Sequence, residues 1–182
     1  MGALQDFLHP VDESLLYSQP DSIGSKIRFY WENTIPENSI VLIGCPDLRG
    51  SGHQKEYSNI RVIREEFYKL IWNDWSFQLY DLGDIIPGNN IEDTEFALRS
   101  VLEELLDMKV QPVVLGGSMA LNYTVYKALS KQDKPLNFTA IDTKIEIADP
   151  ESSVTEKNYL SKMIVQEPNL LFNFTNIGYQ SY

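Results

Sequence analysis

From Ser39 onward the sequence alternates short, continuously apolar runs with stretches in which apolar residues recur every three or four positions. This rhythm constrains the fold more than any other feature, because β-α-β units stacked into a parallel sheet produce it. Ser39-Ile40-Val41-Leu42-Ile43-Gly44 is the first run, and its lack of in/out alternation suits a strand covered by helices on both faces. Residues 77–82, 112–115, 136–141 and 170–177 read as four further strands. Ile60, Ile63, Phe67 and Leu70 trace one helix stripe, Leu98, Val101, Leu105 and Met108 a second, and Leu121, Val125, Ala128 and Leu129 a third. A fourth helix is expected around residues 158–165. Before the first strand, Ile23, Ile27, Tyr30 and Trp31 predict an amphipathic helix capped by Asp21 or Ser22. Residues 1–20 are expected to drape over the surface. With no repeat, low-complexity tract or flexible linker, residues 1–182 read as one domain: a three-layer α/β/α unit with a mostly parallel sheet.

Charge and cysteine usage narrow the function classes. Fifteen Lys and Arg against 26 Asp and Glu give a net charge of −11, which repels phosphate backbones and anionic membrane surfaces; neither nucleic acid nor membrane is expected as a partner. A single cysteine rules out an internal disulfide framework and a cysteine-rich zinc site. No stretch approaches the roughly 18 apolar residues of a membrane helix. Asp6, Asp12 and Glu13 stand where a secretory leader would be basic and apolar, so a soluble, cytoplasmic protein is the expectation.

In open parallel sheets ligands bind beyond the carboxyl ends of the strands, which directs attention to the loops after Ile43, Leu82, Leu115 and Ile141. Those loops carry Gly44-Cys45-Pro46-Asp47, Leu82-Gly83-Asp84-Ile85, Leu115-Gly116-Gly117-Ser118-Met119-Ala120 and Ile141-Asp142-Thr143-Lys144-Ile145-Glu146. Cys45 follows a strand into a loop, but nothing in the sequence places His9 or His53 to activate it; a small buried thiol is the better reading. Gly50-Ser51-Gly52-His53 lacks the context of a phosphate loop and reads as a flexible turn. Asp84 reads as a satisfied turn carboxylate or as part of a pocket with Gly116 and Gly117.

The order and spacing of these four segments resemble the ureohydrolase superfamily of arginases, agmatinases and formimidoylglutamases, which hydrolyse guanidino or formimino groups with two manganese ions. The Gly44-Cys45-Pro46 turn followed by Ile60-Arg61 opening a helix, and the Asp81-Leu82-Gly83-Asp84 stretch, are similar to that family's amino-terminal half. The formimidoylglutamase branch is the most similar, since its sequences also close this region with something like Asn176-Ile177-Gly178-Tyr179-Gln180-Ser181-Tyr182. The resemblance covers residues 39–182 and only the first part of a family domain, so it implies an arginase-like fold in shortened form.

The same resemblance implies a metal site whose ligands have changed. Where the family has Gly-Gly-Asp-His-Ser, this chain has Gly116-Gly117-Ser118-Met119-Ala120, so Met119 stands in the place of a manganese-binding histidine. A thioether is a poor partner for a hard dication. Where the family has Asp-Ala-His-x-Asp, this chain has Asp142-Thr143-Lys144-Ile145-Glu146: Asp142 is kept, Glu146 is one methylene longer, and Lys144 replaces a histidine. In an extended segment residues 142, 144 and 146 share one side, and two unit charges about 4 Å apart interact by about 4 kcal/mol at an effective dielectric near 20. Lys144 therefore opposes a metal and is expected to pair with Asp142 and Glu146. The expectation is a pseudoenzyme with vestigial metal positions Asp142 and Glu146 and degenerate positions Ser118, Met119 and Lys144. It would need no cofactor, and would act by binding or assembly, as a homo-oligomer or with a protein partner at an open sheet edge. The alternative is a manganese-dependent hydrolase of linear amidines whose remaining site residues lie beyond Tyr182.

Overall fold

The structure, a computed structural model, describes residues 3–15, 19–29, 35–52 and 56–181. Tyr30, Trp31 and His53 lie outside the described residues. In chain order the elements are α1 (Ala3–Phe7), β1 (Leu8–His9), α2 (Ile23–Lys26), β2 (Arg28–Phe29), β3 (Ile40–Gly44), α3 (Ile60–Phe67), β4 (Leu79–Ile85), α4 (Ile91–Asp107), β5 (Gln111–Leu115), α5 (Leu121–Ser130), β6 (Leu136–Ile141), α6 (Tyr159–Val165) and β7 (Leu171–Ile177).

β4, β3 and β5 lie side by side in that order, all parallel, and β1 and β2 share the outer edge of β4. β2 runs parallel to β4 and β1 antiparallel to it. The apolar runs dictate this arrangement, because Val41, Leu42, Ile43, Tyr80 and Leu82 are all buried and need cover on both sheet faces. On one face Val41, Ile43, Tyr80 and Leu82 pack with Leu98, Val101, Leu102 and Leu105 of α4. On the other, Leu42 and Leu79 pack with Ile23, Ile27 and Tyr68. The expected three layers are therefore present. β6 and β7 form a separate parallel pair and do not extend the main sheet; they pack through Phe138 and Phe174 onto Tyr126, Tyr159, Leu160 and Met163.

Four expectations need correction. The amino terminus does more than drape: Leu4 and Leu8 are buried in the main core, and Leu8 and His9 pair with Ile85 and Asp84. Gly83, with φ +88°, makes this possible, since a Cβ there would come within 2.0 Å of the His9 carbonyl oxygen. The helix expected from Ile23 is a single turn capped by Ser22, after which the chain becomes extended at Ile27 and enters β2. β4 runs on through Gly83, Asp84 and Ile85, which their turn-like composition assigns to a loop. Finally, the buried face of α3 is Ile60, Arg64 and Tyr68, whereas Ile63 and Leu70 are exposed. The stripe is rotated because Arg64 and Tyr68 find a buried polar partner on β4.

Candidate functional site

That partner is Asp81. Its carboxylate accepts from Arg64 Nε at 2.8 Å, Arg64 Nη2 at 3.0 Å, the Tyr68 hydroxyl at 2.8 Å and the Gly83 backbone N–H at 2.9 Å. Arg64 also donates through Nη1 to Asp84 and through Nη2 to the Gly83 carbonyl oxygen. Both Asp81 and Arg64 are buried. Burial alone would weaken the guanidinium's hold on its proton, but the hydrogen bonds and charge of Asp81, with the charge of Asp84, override it and raise its pKa. Burial, and then the Asp81 charge, push the Tyr68 hydroxyl up as well. The group is thus a fixed-charge brace between α3 and β4. A charged residue on an apolar helix stripe, Arg64 four after Ile60 and three before Phe67, is the sequence signal for it.

A second brace lies past β3. Asp47 is buried, and its carboxylate accepts from the Arg49 backbone N–H at 2.9 Å and from Arg49 Nη2 at 2.6 Å. Burial works to raise the Asp47 pKa, but the Arg49 side chain and backbone hold it below the usual carboxylate range. Arg49 Nη1 also donates to the Asn89 carbonyl oxygen and Nη2 to those of Gly88 and Asn90, which locks the loop after β4 to the loop after β3. Cys45, between these braces, is fully buried, and burial pushes its thiol up to about 12, so it is inert as a nucleophile.

The strand-end turns close on each other. Gly116 and Gly117 both adopt positive φ, and a Cβ on Gly117 would lie 2.7 Å from the Cys45 carbonyl oxygen. Ser118 is buried, donating its backbone N–H to the Asp47 carbonyl oxygen at 2.9 Å and accepting the Ala120 N–H on its hydroxyl at 3.1 Å. Met119, in contrast, is 38% exposed, with Asn122 Nδ2 3.6 Å from its sulfur. The glycine turn is therefore packed against the Cys45–Asp47 backbone. Asp84 sits over Gly44, where an added Cβ would overlap its carboxylate. It lines a cavity of about 180 Å³ together with His9, Asp12, Leu15, Arg61 and Arg64. Within it Arg61 bonds Asp12 at 2.7 Å.

The alternation expected of residues 142, 144 and 146 does not arise, because β6 ends at Ile141 and the chain bends at Thr143 and Lys144. Asp142 and Glu146 are half-buried and Lys144 is exposed. Asp142 accepts the Lys144 backbone N–H at 3.2 Å. Among the described residues the Lys144 ammonium makes no ion pair with either carboxylate, contrary to the sequence expectation. Both carboxylates lie near Tyr159: burial raises the pKa of its hydroxyl, and the charges of Asp142 and Glu146 add to the effect. Among the described residues no three His, Cys, Asp or Glu side chains converge as a metal site would require.

No family model matches the chain. A formimidoylglutamase of Lysinibacillus sphaericus (strain C3-41) is 26% identical over 139 residues, which are 74% of this chain and 42% of that protein. An agmatinase of Blochmanniella floridana is 26% identical over 136 residues, 68% of this chain and 44% of the relative. The chain thus spans about two fifths of the length of the curated relatives it matches. The crystal structure of formimidoylglutamase from Bacillus subtilis superposes with a TM-score of 0.71 at 20% identity, covering 83% of this chain and 51% of that one. Trypanosoma cruzi formiminoglutamase with Mn²⁺ gives 0.66 at 16% identity, covering 95% and 59%. In sequence the chain is thus similar to formimidoylglutamases and an agmatinase, and its fold is that of solved arginase-superfamily structures.

Proposed function

We propose that this chain is a ureohydrolase-like α/β unit whose dimanganese chemistry has been replaced by a binding or assembly role. The observation that carries the reading is the set of side chains at the positions that resemble the family's ligands. Met119 offers an exposed thioether, Lys144 an ammonium, and Asp142 a carboxylate that already accepts a backbone N–H from its own turn. These donors do not fit a two-manganese centre, which wants imidazoles and carboxylates converging on a common point. The two braces support the same reading, since Arg64 and Arg49 consume the buried carboxylates Asp81 and Asp47 in structural pairs. A small polar ligand would find room in the cavity beside Asp84, with Arg61 and His9 on its wall. The test is turnover: with manganese supplied during expression and assay, release of formamide from N-formimidoyl-glutamate, or of urea from arginine or agmatine, is expected to stay at the background rate. Manganese-dependent release at an enzymic rate would overturn the proposal.

One observation favours the second reading, a hydrolase of linear amidines: the chain spans only about two fifths of its relatives, so further site residues can belong to polypeptide outside it. Manganese-dependent turnover by a longer gene product, absent from the 182-residue chain, would establish that reading.

A further inference from the structure

α5 packs against both α4 and α6, and a carboxylate and several cations gather where the three helices meet. Glu95 of α4 is buried, and Lys127 Nζ on α5 stands 3.8 Å from its Oε2. That distance is too long for a hydrogen bond. Other lysines are held more tightly: Lys69 bonds Glu66 at 2.7 Å, Lys109 bonds Glu37 at 3.0 Å, Lys131 bonds Glu103 at 3.1 Å, and Lys162 of α6 donates to the Pro150 carbonyl oxygen at 2.7 Å. The Lys127 stem is nevertheless fixed. Its nitrogen lies 4.7 Å from the centroid of the Tyr123 ring, one turn earlier on α5, and the Tyr123 hydroxyl donates to Gln166 Oε1 at 2.6 Å. Arg99 of α4 and Lys162 act on the same amine as like charges.

Burial works against the charged form of Lys127, Glu95 works for it, and Arg99 and Lys162 work against it, so the amine gives up its proton more readily than an ordinary lysine. Its side chain is 27% exposed, which leaves a path to solvent. We propose that Lys127 is a covalent acylation site charged by an acyl phosphate, with Glu95 placed to receive the proton and Arg99 and Lys162 to attract the phosphate. The free amine attacks the carbonyl carbon. The C–N bond forms, and the C–O bond to phosphate breaks with its electron pair leaving on the phosphate oxygen. Nitrogen becomes acidic as its new bond forms, so its proton passes to the Glu95 carboxylate and from there to the departing phosphate. The products are an amide on Lys127 and inorganic phosphate. Because that amide is uncharged, Glu95 loses its ion-pair partner among the described residues, and acylation also acts on the contact between α4 and α5. Neither Met119 nor Asp142 nor Glu146 takes part, so acylation stands or fails independently of the proposed function.

Acetyl phosphate applied to the folded chain at about pH 8, with peptide mass spectrometry over time, tests this. Lys127 is expected to acetylate about fivefold or more faster than Lys109, whose side chain is 70% exposed, and the preference is expected to vanish in urea. Glu95→Gln removes the charge that favours the ammonium, yet is expected to slow Lys127 by about the same factor because the proton acceptor is gone. Inorganic phosphate is expected to slow Lys127 and to leave Lys109 unchanged. Equal rates at Lys127 and Lys109 would overturn the site, and a faster Lys127 in Glu95→Gln would overturn the part given to Glu95. Equal preference for Lys127 with an uncharged acetyl thioester, unaffected by phosphate, would overturn the acyl phosphate as donor.

Discussion

Asp81 has no exposed side-chain atom and its countercharge is Arg64, so removing that guanidinium strands a buried carboxylate. Breaking such a pair by deleting one partner costs about 3–5 kcal/mol, and Arg64→Met is expected to fall in that range by urea denaturation. A change below about 1 kcal/mol would show that the brace is not structural. Asp47 makes a prediction about acid. Its folded pKa lies below the ordinary 3.8, so as pH falls the unfolded chain takes up the proton first. The stability Asp47 contributes is complete above 3.8 and is lost as pH falls below that value toward its folded pKa. Asp47→Asn is expected to flatten the loss of stability in that window, and an unchanged slope would refute the assignment. Glu95 has the opposite sign. Burial raises its pKa despite Lys127 3.8 Å away, so as pH rises past the ordinary 4.5 the unfolded chain ionises first and Glu95 costs stability. Glu95→Gln is expected to be neutral or stabilising at pH 7, with the gain absent well below pH 4.5; thermal melts at the two pH values decide it.

At the scale of elements, the capping of α4 and the docking of β1 carry the clearest tests. The Asn90 side chain accepts the Asp93 N–H at 2.8 Å, and Asp93 reaches back to the Asn90 N–H. Asn90→Ala is expected to cost about 1 kcal/mol. Leu8→Ala, opening a cavity in the main core next to β4, is expected to cost about 2–5 kcal/mol, and a cost under about 1 kcal/mol would mean that β1 does not hold in solution. The strands from Ile40 onward are legible in the sequence because a continuous apolar run bounded by turn residues forms little else than a buried strand. β4 reads too short there because Gly83 and Asp84 look like turn residues, and only the close passage of β1 accounts for a glycine at that point. The α3 stripe reads out of phase because apolar periodicity cannot register a buried Arg64 whose partner, Asp81, lies on another element. The candidate site is legible as four strand-end loops and as unusual residues within them. The ends of β3 and β5 do meet, yet their closure through Ser118 and Asp47 depends on tertiary hydrogen bonds that spacing does not encode.

For the molecule as a whole, the proposed function sets an arginase-like fold beside donor groups unsuited to two manganese ions. The architecture survives because the braces built from Arg49 and Arg64 and the two cores around the sheet owe nothing to a metal. Calorimetric titration of the purified protein with Mn²⁺ tests this separation of fold from chemistry most directly. No saturable binding is expected below millimolar concentration. Micromolar binding that disappears in Asp142→Ala would contradict it and return the strand-end loops to catalysis.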